Sequence, residues 1–131
     1  MSEEIRTYAY DDESLILALR HYFGSEQHYH EHQKHFYRSP KKTFFIGFID
    51  SAVAGYCSLS KGEIQDLHTV PCFRNRGIAT SLIRYIQARE TVLTLGTSNT
   101  IVESIAKKLG FIYYLSRGKY NYFRWEAKGD H

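Results

Sequence analysis

Apolar positions along the chain recur with two periods, alternating and helical, and their order predicts a mixed sheet packed by helices. Residues 5–8 form a short strand candidate. Asp11 or Asp12 is placed to N-cap a helix running to about Tyr22, with Leu15, Ile16 and Leu19 on one face. Residues 25–37 read as a second helix, ended by Ser39-Pro40. Residues 43–49 and 52–59 are rich in β-formers, and Asp50-Ser51 between them signals a tight hairpin. Lys61-Gly62 turns the chain into residues 63–70, so three consecutive antiparallel strands are expected. Residues 78–89 then read as an amphipathic helix, 91–95 as a buried strand and 99–109 as a helix stopped by a left-handed Gly110. Residues 111–115 and 120–125 complete the pattern as a hairpin around Arg117-Gly118. The order is βααβββαβαββ, an α/β (mixed α+β) sheet with helices on its faces.

Length and composition narrow the class without naming an activity. A chain of 131 residues with no repeat or linker is expected to be one domain, residues 1–131, that buries about two-thirds of its unfolded surface. No apolar run approaches the roughly 20 residues that span a bilayer. The acidic start Met1-Ser2-Glu3-Glu4 lacks a signal-peptide core, so the expected compartment is cytoplasmic. Cys57 and Cys72 fit reduced thiols better than a disulfide framework. The net charge of +3 suits an anionic cofactor and is too small to argue for nucleic acid. No membrane partner is expected.

The most informative stretch runs from Val70 through Pro71, Cys72, Phe73, Arg74, Asn75, Arg76, Gly77 and Ile78 to Ala79. It joins a strand to a helix, and the first N–H groups of a helix have no internal partner while its dipole adds positive charge. Gly77 and the small Ala79 allow a phosphate close to the backbone, and Arg74 and Arg76 bring charge to it. The stretch has the makings of a pyrophosphate cradle. A plain solvated turn is the simpler alternative.

The element order and this loop together resemble the GCN5-related N-acetyltransferase (GNAT) superfamily. The superfamily's Arg/Gln-x-x-Gly-x-Gly/Ala signature is similar to Arg74-Asn75-Arg76-Gly77-Ile78-Ala79, and Leu67-His68-Thr69-Val70-Pro71 resembles its strand ending in proline. A second block matches farther on: Asn99, then Gly110-Phe111 at the family's spacing. Val53-Ala54-Gly55-Tyr56 also looks like the family's third strand. The resemblance covers nearly the whole chain and implies the acyl-CoA N-acyltransferase fold. It implies acetyl-CoA as acyl-donor co-substrate, with Leu67, His68 and Thr69 along the pantetheine arm like an added half-strand. It further implies Arg74, Asn75, Arg76, Gly77, Ile78, Ala79 and Thr80 on the pyrophosphate, Asn99 on the pantetheine, and Lys107 or Lys108 near the adenosine phosphate. A small-molecule or peptide amine would be the acceptor, and a homodimer is compatible with the family.

Acetyl transfer needs a neutral amine, a polarised thioester carbonyl and a leaving thiolate. A lysine-like amine is neutral only about 0.04% of the time at pH 7, a penalty of roughly 4.6 kcal/mol, whereas an α-amine costs about 1.4 kcal/mol. A general base therefore matters most for a lysine-like acceptor. By resemblance to histone acetyltransferases of the superfamily, Glu63, eleven residues before Arg74, is the candidate base; a solvent-facing strand-start residue is the alternative. On a regular strand Asp66 would point to the opposite face. Backbone N–H near Leu67 or His68 would polarise the carbonyl. The family's usual tyrosine acid falls on Ala106, so Tyr113 is the candidate substitute, with Tyr114 and Ser104 as further options.

Attack is expected to be direct, because neither cysteine sits in a Cys-His arrangement. A non-catalytic acyl-CoA sensor and a pure interaction module are the rival readings. His28, His30, His32 and His35 crowd one helix and read as a solvated face, with acceptor-site lining or zinc as alternatives; no metal is expected.

Overall fold

In the computed structural model, residues 3–9 and 42–128 are described. The two helices expected between the first and second strands, and with them the histidine-rich segment, lie outside the described residues. Elements are β1 (Glu3–Ala9), β2 (Thr43–Ile49), β3 (Ala52–Ser60), β4 (Glu63–Thr69), a 3-10 turn (Pro71–Phe73) and α1 (Ile78–Gln87). They continue with β5 (Val92–Thr97), α2 (Thr100–Lys108), β6 (Ile112–Arg117) and β7 (Tyr120–Glu126). The strands form a single seven-stranded sheet in the order β1-β2-β3-β4-β5-β7-β6. Every neighbouring pair is antiparallel except β4 with β5.

Local chemistry explains the turns. Asp50 and Ser51 both take positive φ, 48° and 69°, which gives the β2–β3 hairpin a twist that matches its strands. Gly110 at φ 91° closes α2: its N–H donates to Lys107 O at 3.1 Å, and Phe111 N–H donates to Ala106 O at 2.9 Å. This paired closure satisfies two carbonyls at the helix end and drops Phe111 into the core.

The core lies on the face covered by α1 and α2. Ile78, Leu82, Ile83 and Ile86 of α1 pack with Phe45, Ala54, Cys57, Leu59, Ile64, Leu93 and Phe123 of the sheet. Residues of the opposite phase on the central strands, Phe44, Ile46, Tyr56 and Ser58, are buried as well. The unbroken apolar reading of β2 and β3 follows from burial on both faces.

Two glycines fix how α1 meets the sheet. Gly47 and Gly55 are cross-strand partners, and together they leave a dent in β2 and β3. A Cβ on Gly47 would stand 2.7 Å from Ile78 Cδ1, and one on Gly55 would stand 2.8 Å from His68 O. Ile78 is the first residue of α1, so the dent anchors the helix where the loop enters it. Gly55→Ala is expected to destabilise by about 1–3 kcal/mol, because a backbone oxygen has to move. Urea unfolding measures this, and an unchanged midpoint would contradict the seating.

Candidate active site

β4 and β5 share only two registered pairs, Glu63 with Thr94 and Ile64 with Leu95. Beyond them the strands diverge. β4 keeps its bonds to β3 on one side, Tyr56 with His68 and Gly55 with Thr69. β5 keeps its ladder to β7. Between the diverging strands lies a cleft lined by Ile64, Gln65, Asp66, Leu67, Leu95, Gly96, Thr97, Asn99 and Val102. The later residues of β4 thus have no registered partner on β5.

A bulge at Asp66 accompanies the divergence. Between Tyr56–His68 and Ser58–Gln65, β3 advances two residues and β4 three. Asp66 takes the extra place in a left-handed conformation, φ 57°, which aspartate tolerates better than most residues. The alternation expected of a regular strand therefore fails here, and Asp66 does not simply oppose Glu63. Its Oδ2 accepts from Ser58 Oγ at 2.7 Å and from Lys42 Nζ at 3.0 Å. Cys57, on the neighbouring phase of β3, is fully buried; burial first, and then the negative charge of Asp66, push its thiol well above the usual range.

At one end of the cleft, Asn99 caps α2. Its Oδ1 accepts from Ile101 N–H at 2.8 Å and more weakly from Val102 N–H at 3.4 Å, while its own N–H donates to Thr97 Oγ1 at 3.0 Å. The side-chain carbonyl is spent on the helix, which leaves the Nδ2 donors without a partner among the described residues.

The loop before α1 curls through two left-handed residues, Asn75 at φ 66° and Gly77 at φ 74°. Gly77 is the N-cap, and no side chain caps the helix. The first internal bond is Ser81 N–H to Gly77 O at 2.9 Å, so the N–H groups of Ile78, Ala79 and Thr80 precede it without a backbone acceptor in the helix. A Cβ on Gly77 would meet nothing within 4 Å, so the glycine serves the backbone angle and leaves open space before the amides. Arg74 and Arg76 belong to the same loop and are both exposed, with the Arg76 guanidinium 5.8 Å from the Phe73 ring. Amides without an internal acceptor at a helix start, beside two cationic side chains, are the geometry that suits an anion.

The expected residues are spread over several elements. Leu67 and Asn99 line the cleft, and His68 and Thr69 continue the same strand. Residues 74–80 form the loop and helix start. Glu63 sits where β4 and β5 are still paired, and its Oε1 accepts from Gln65 Nε2 at 3.0 Å, which ties it to a cleft-lining residue. Tyr113 stands apart. It lies on the outer strand β6, its hydroxyl pairs with Ser116 Oγ at 2.7 Å, and it is absent from the cleft wall. Residue type alone singles it out, and β7 separates its strand from the cleft strand β5. Ala106 is wholly buried in the core and offers no proton. Lys107 and Lys108 occupy the last turn of α2, the end opposite Asn99. Asp66, Gln65, Thr97 and Val102 are cleft residues that the sequence does not announce, since only the bulge and the divergence bring them together.

The sequence matches the profile of the "Acetyltransferase (GNAT) family" over residues 12–111, well over half of the chain. It belongs to the GNAT family. Comparison with curated protein sequences finds no match. Solved structures share the GNAT fold at low identity. The PaiA N-acetyltransferase of Thermoplasma acidophilum in complex with coenzyme A is 18% identical with a TM-score of 0.67, over 97% of this chain and 100% of that one. An acetyltransferase from Thermus thermophilus is 14% identical with a TM-score of 0.71, over 97% and 98%. The Campylobacter jejuni N-acetyltransferase PseH in complex with acetyl coenzyme A is 16% identical with a TM-score of 0.63, over 97% and 100%. These likenesses support the mixed sheet of the GNAT fold. Among the described residues no helix is long and apolar enough to cross a membrane, and no group of three or more His, Cys, Asp or Glu is placed to hold a metal ion.

Asn99→Ala is expected to remove the cap of α2 and cost about 1 kcal/mol, read as a lowered urea midpoint. No change in midpoint would show that the cap does not stabilise this helix.

Proposed function

We propose that this GNAT protein is an acetyl-CoA-dependent N-acetyltransferase that moves the acetyl group to a primary amine by direct attack on the thioester. The observation that carries this reading is the pairing of an open strand edge with an uncapped helix start. A carrier with a charged diphosphate and a slender amide-bearing arm matches both parts at once. The N–H groups of Ile78, Ala79 and Thr80, with Gly77 and the turn of Arg74, Asn75 and Arg76, would take the diphosphate. Leu67, His68 and Thr69 would pair with the amides of the arm along the free edge of β4, and Asn99 Nδ2 would donate to an arm carbonyl. The PaiA and PseH structures, which pair this fold with coenzyme A and its acetyl form, point the same way.

In the reaction, the amine nitrogen attacks the thioester carbon, the carbonyl oxygen takes up negative charge, and the carbon–sulfur bond breaks to release CoA thiolate. Main-chain N–H at the bulge, near Leu67 and His68, would stabilise the oxyanion. Glu63 would take the proton from the attacking amine, oriented by its bond to Gln65. The thiolate needs no dedicated acid, since a thiol pKa near about 8.5 makes it a tolerable leaving group. Tyr113, held by Ser116 outside the cleft, is left out of this scheme.

Gly77→Glu is expected to weaken CoA binding at least tenfold in calorimetry, because it places a carboxylate before the amides. Unchanged affinity in a folded variant would remove the loop from the site. Glu63→Gln is expected to lower the rate of thiol release most below pH 8, where the acceptor amine is protonated, with CoA affinity within twofold of wild type. A wild-type pH profile in that variant would exclude Glu63 as the base.

A further inference from the structure

The GNAT signature accounts for the loop and for Asn99, but not for the charged group set into the β4 bulge. Asp66 and Lys42 form an ion pair whose side chains are only 20% and 11% exposed, and Ser58, the third member, is fully buried. Burying two charges is costly unless the remaining polar positions are used, so such a pair beside a cleft calls for a reason. The geometry is asymmetric. Ser58 Oγ and Lys42 Nζ both bind Oδ2, and Oδ1 takes no hydrogen bond from any described residue. Asp66 is itself part of the cleft wall.

The face matters too. Ser58 is the cross-strand partner of Phe44, in the phase opposite to Phe45 and Cys57, which pack with α1. The Asp66 carboxylate reaches Ser58 on the side of the sheet away from α1, whereas the anion-binding loop opens α1. A cofactor entering from the α1 side and an acceptor entering from the other would meet in the gap between β4 and β5.

We propose that Asp66 is the acceptor-binding residue: its uncommitted Oδ1 holds the cationic ammonium of the incoming amine, while Ser58, bonded to Oδ2, fixes the carboxylate's orientation and Lys42, on the same oxygen, moderates its charge. The inference rests on the transferase reading above and adds a substrate class to it, an acceptor that arrives as a cation. It also divides labour along β4. Asp66 captures the ammonium, Glu63 takes one proton from it so that the freed lone pair can attack, and the second proton, lost from the nitrogen after attack, goes to the departing thiolate. A carboxylate that already carries one ammonium on Oδ2 is chemically suited to a second on Oδ1, whereas an anionic acceptor would be repelled and a neutral one would make a weaker bond there. Lys42 competes for the same charge, so its removal strengthens the subsite rather than weakening it.

The opposing signs make the test. Thiol release with primary alkylamines is measured for wild type, Asp66→Asn and Lys42→Met, with CoA affinity by calorimetry alongside. Asp66→Asn keeps the shape and an acceptor for Ser58, and is expected to raise KM for the amine at least tenfold with kcat within threefold and CoA affinity within twofold. Lys42→Met is expected to lower the same KM at least threefold. A role confined to holding the fold would move both variants in the same direction. The proposal is overturned if Asp66→Asn leaves KM within twofold of wild type, or if Lys42→Met raises it. Should Asp66→Asn fail to fold, the sign of the Lys42→Met effect decides alone. Wild-type protein that binds CoA but acetylates no amine in the panel would sink the transferase reading itself, a result distinct from either variant's.

Discussion

Two registered pairs hold β4 to β5, and the rest of the architecture follows from their stopping there. Parallel neighbours deep in a sheet ordinarily stay paired, because an unpaired backbone group away from water costs as much as a lost hydrogen bond. Here the bulge at Asp66 turns β4 aside, and the ladder to β7 holds β5 on its own course. The free edge so created sits in the middle of a seven-stranded sheet. That is a costly arrangement for a protein with no guest, and a natural one for a protein whose guest supplies the missing strand.

Placing the guest requires the loop to be as well defined as the cleft. The glycine pair Gly47 and Gly55 does this by admitting Ile78 to the sheet surface, which sets the first turn of α1 and hence the direction of its amides. Gly77 adds the left-handed angle that starts the helix without a side-chain cap. At the far end of the gap Asn99 commits its side-chain carbonyl to α2, which leaves its amide protons without a partner among the described residues. The three sites lie on different elements, and the sheet holds them in one frame.

Much of this was legible in the sequence, and the exceptions have physical causes. The hairpin at Asp50-Ser51, the stop at Gly110 and the helix starts near Ile78 and Asn99 follow from turn chemistry and apolar period, and the structure places them within a residue or two. The left-handed turn into α1 was readable because Gly77 carries that backbone freedom in its chemistry. The bulge was not readable: Asp66 looks like any polar strand residue, and only the step of three against two on β3 reveals it. That one irregularity changed the relation of Asp66 to Glu63 and brought Lys42, 24 residues earlier, to its carboxylate. Tyr113 lies apart for a related reason, since residue type says nothing of strand order and β6 lies outside β7. The partnership of Gly47 with Gly55 likewise exists only once the hairpin register is known.

The central claim is that one extended guest touches the amides of the α1 start and the free edge of β4 together. Amide-resolved NMR during a titration with coenzyme A tests it most directly. The resonances of residues 67–69 and 77–80 are expected to shift along a single binding curve, with those of β6 little changed. Shifts confined to one of the two segments, or no shifts in a protein whose spectrum shows it folded, would contradict it.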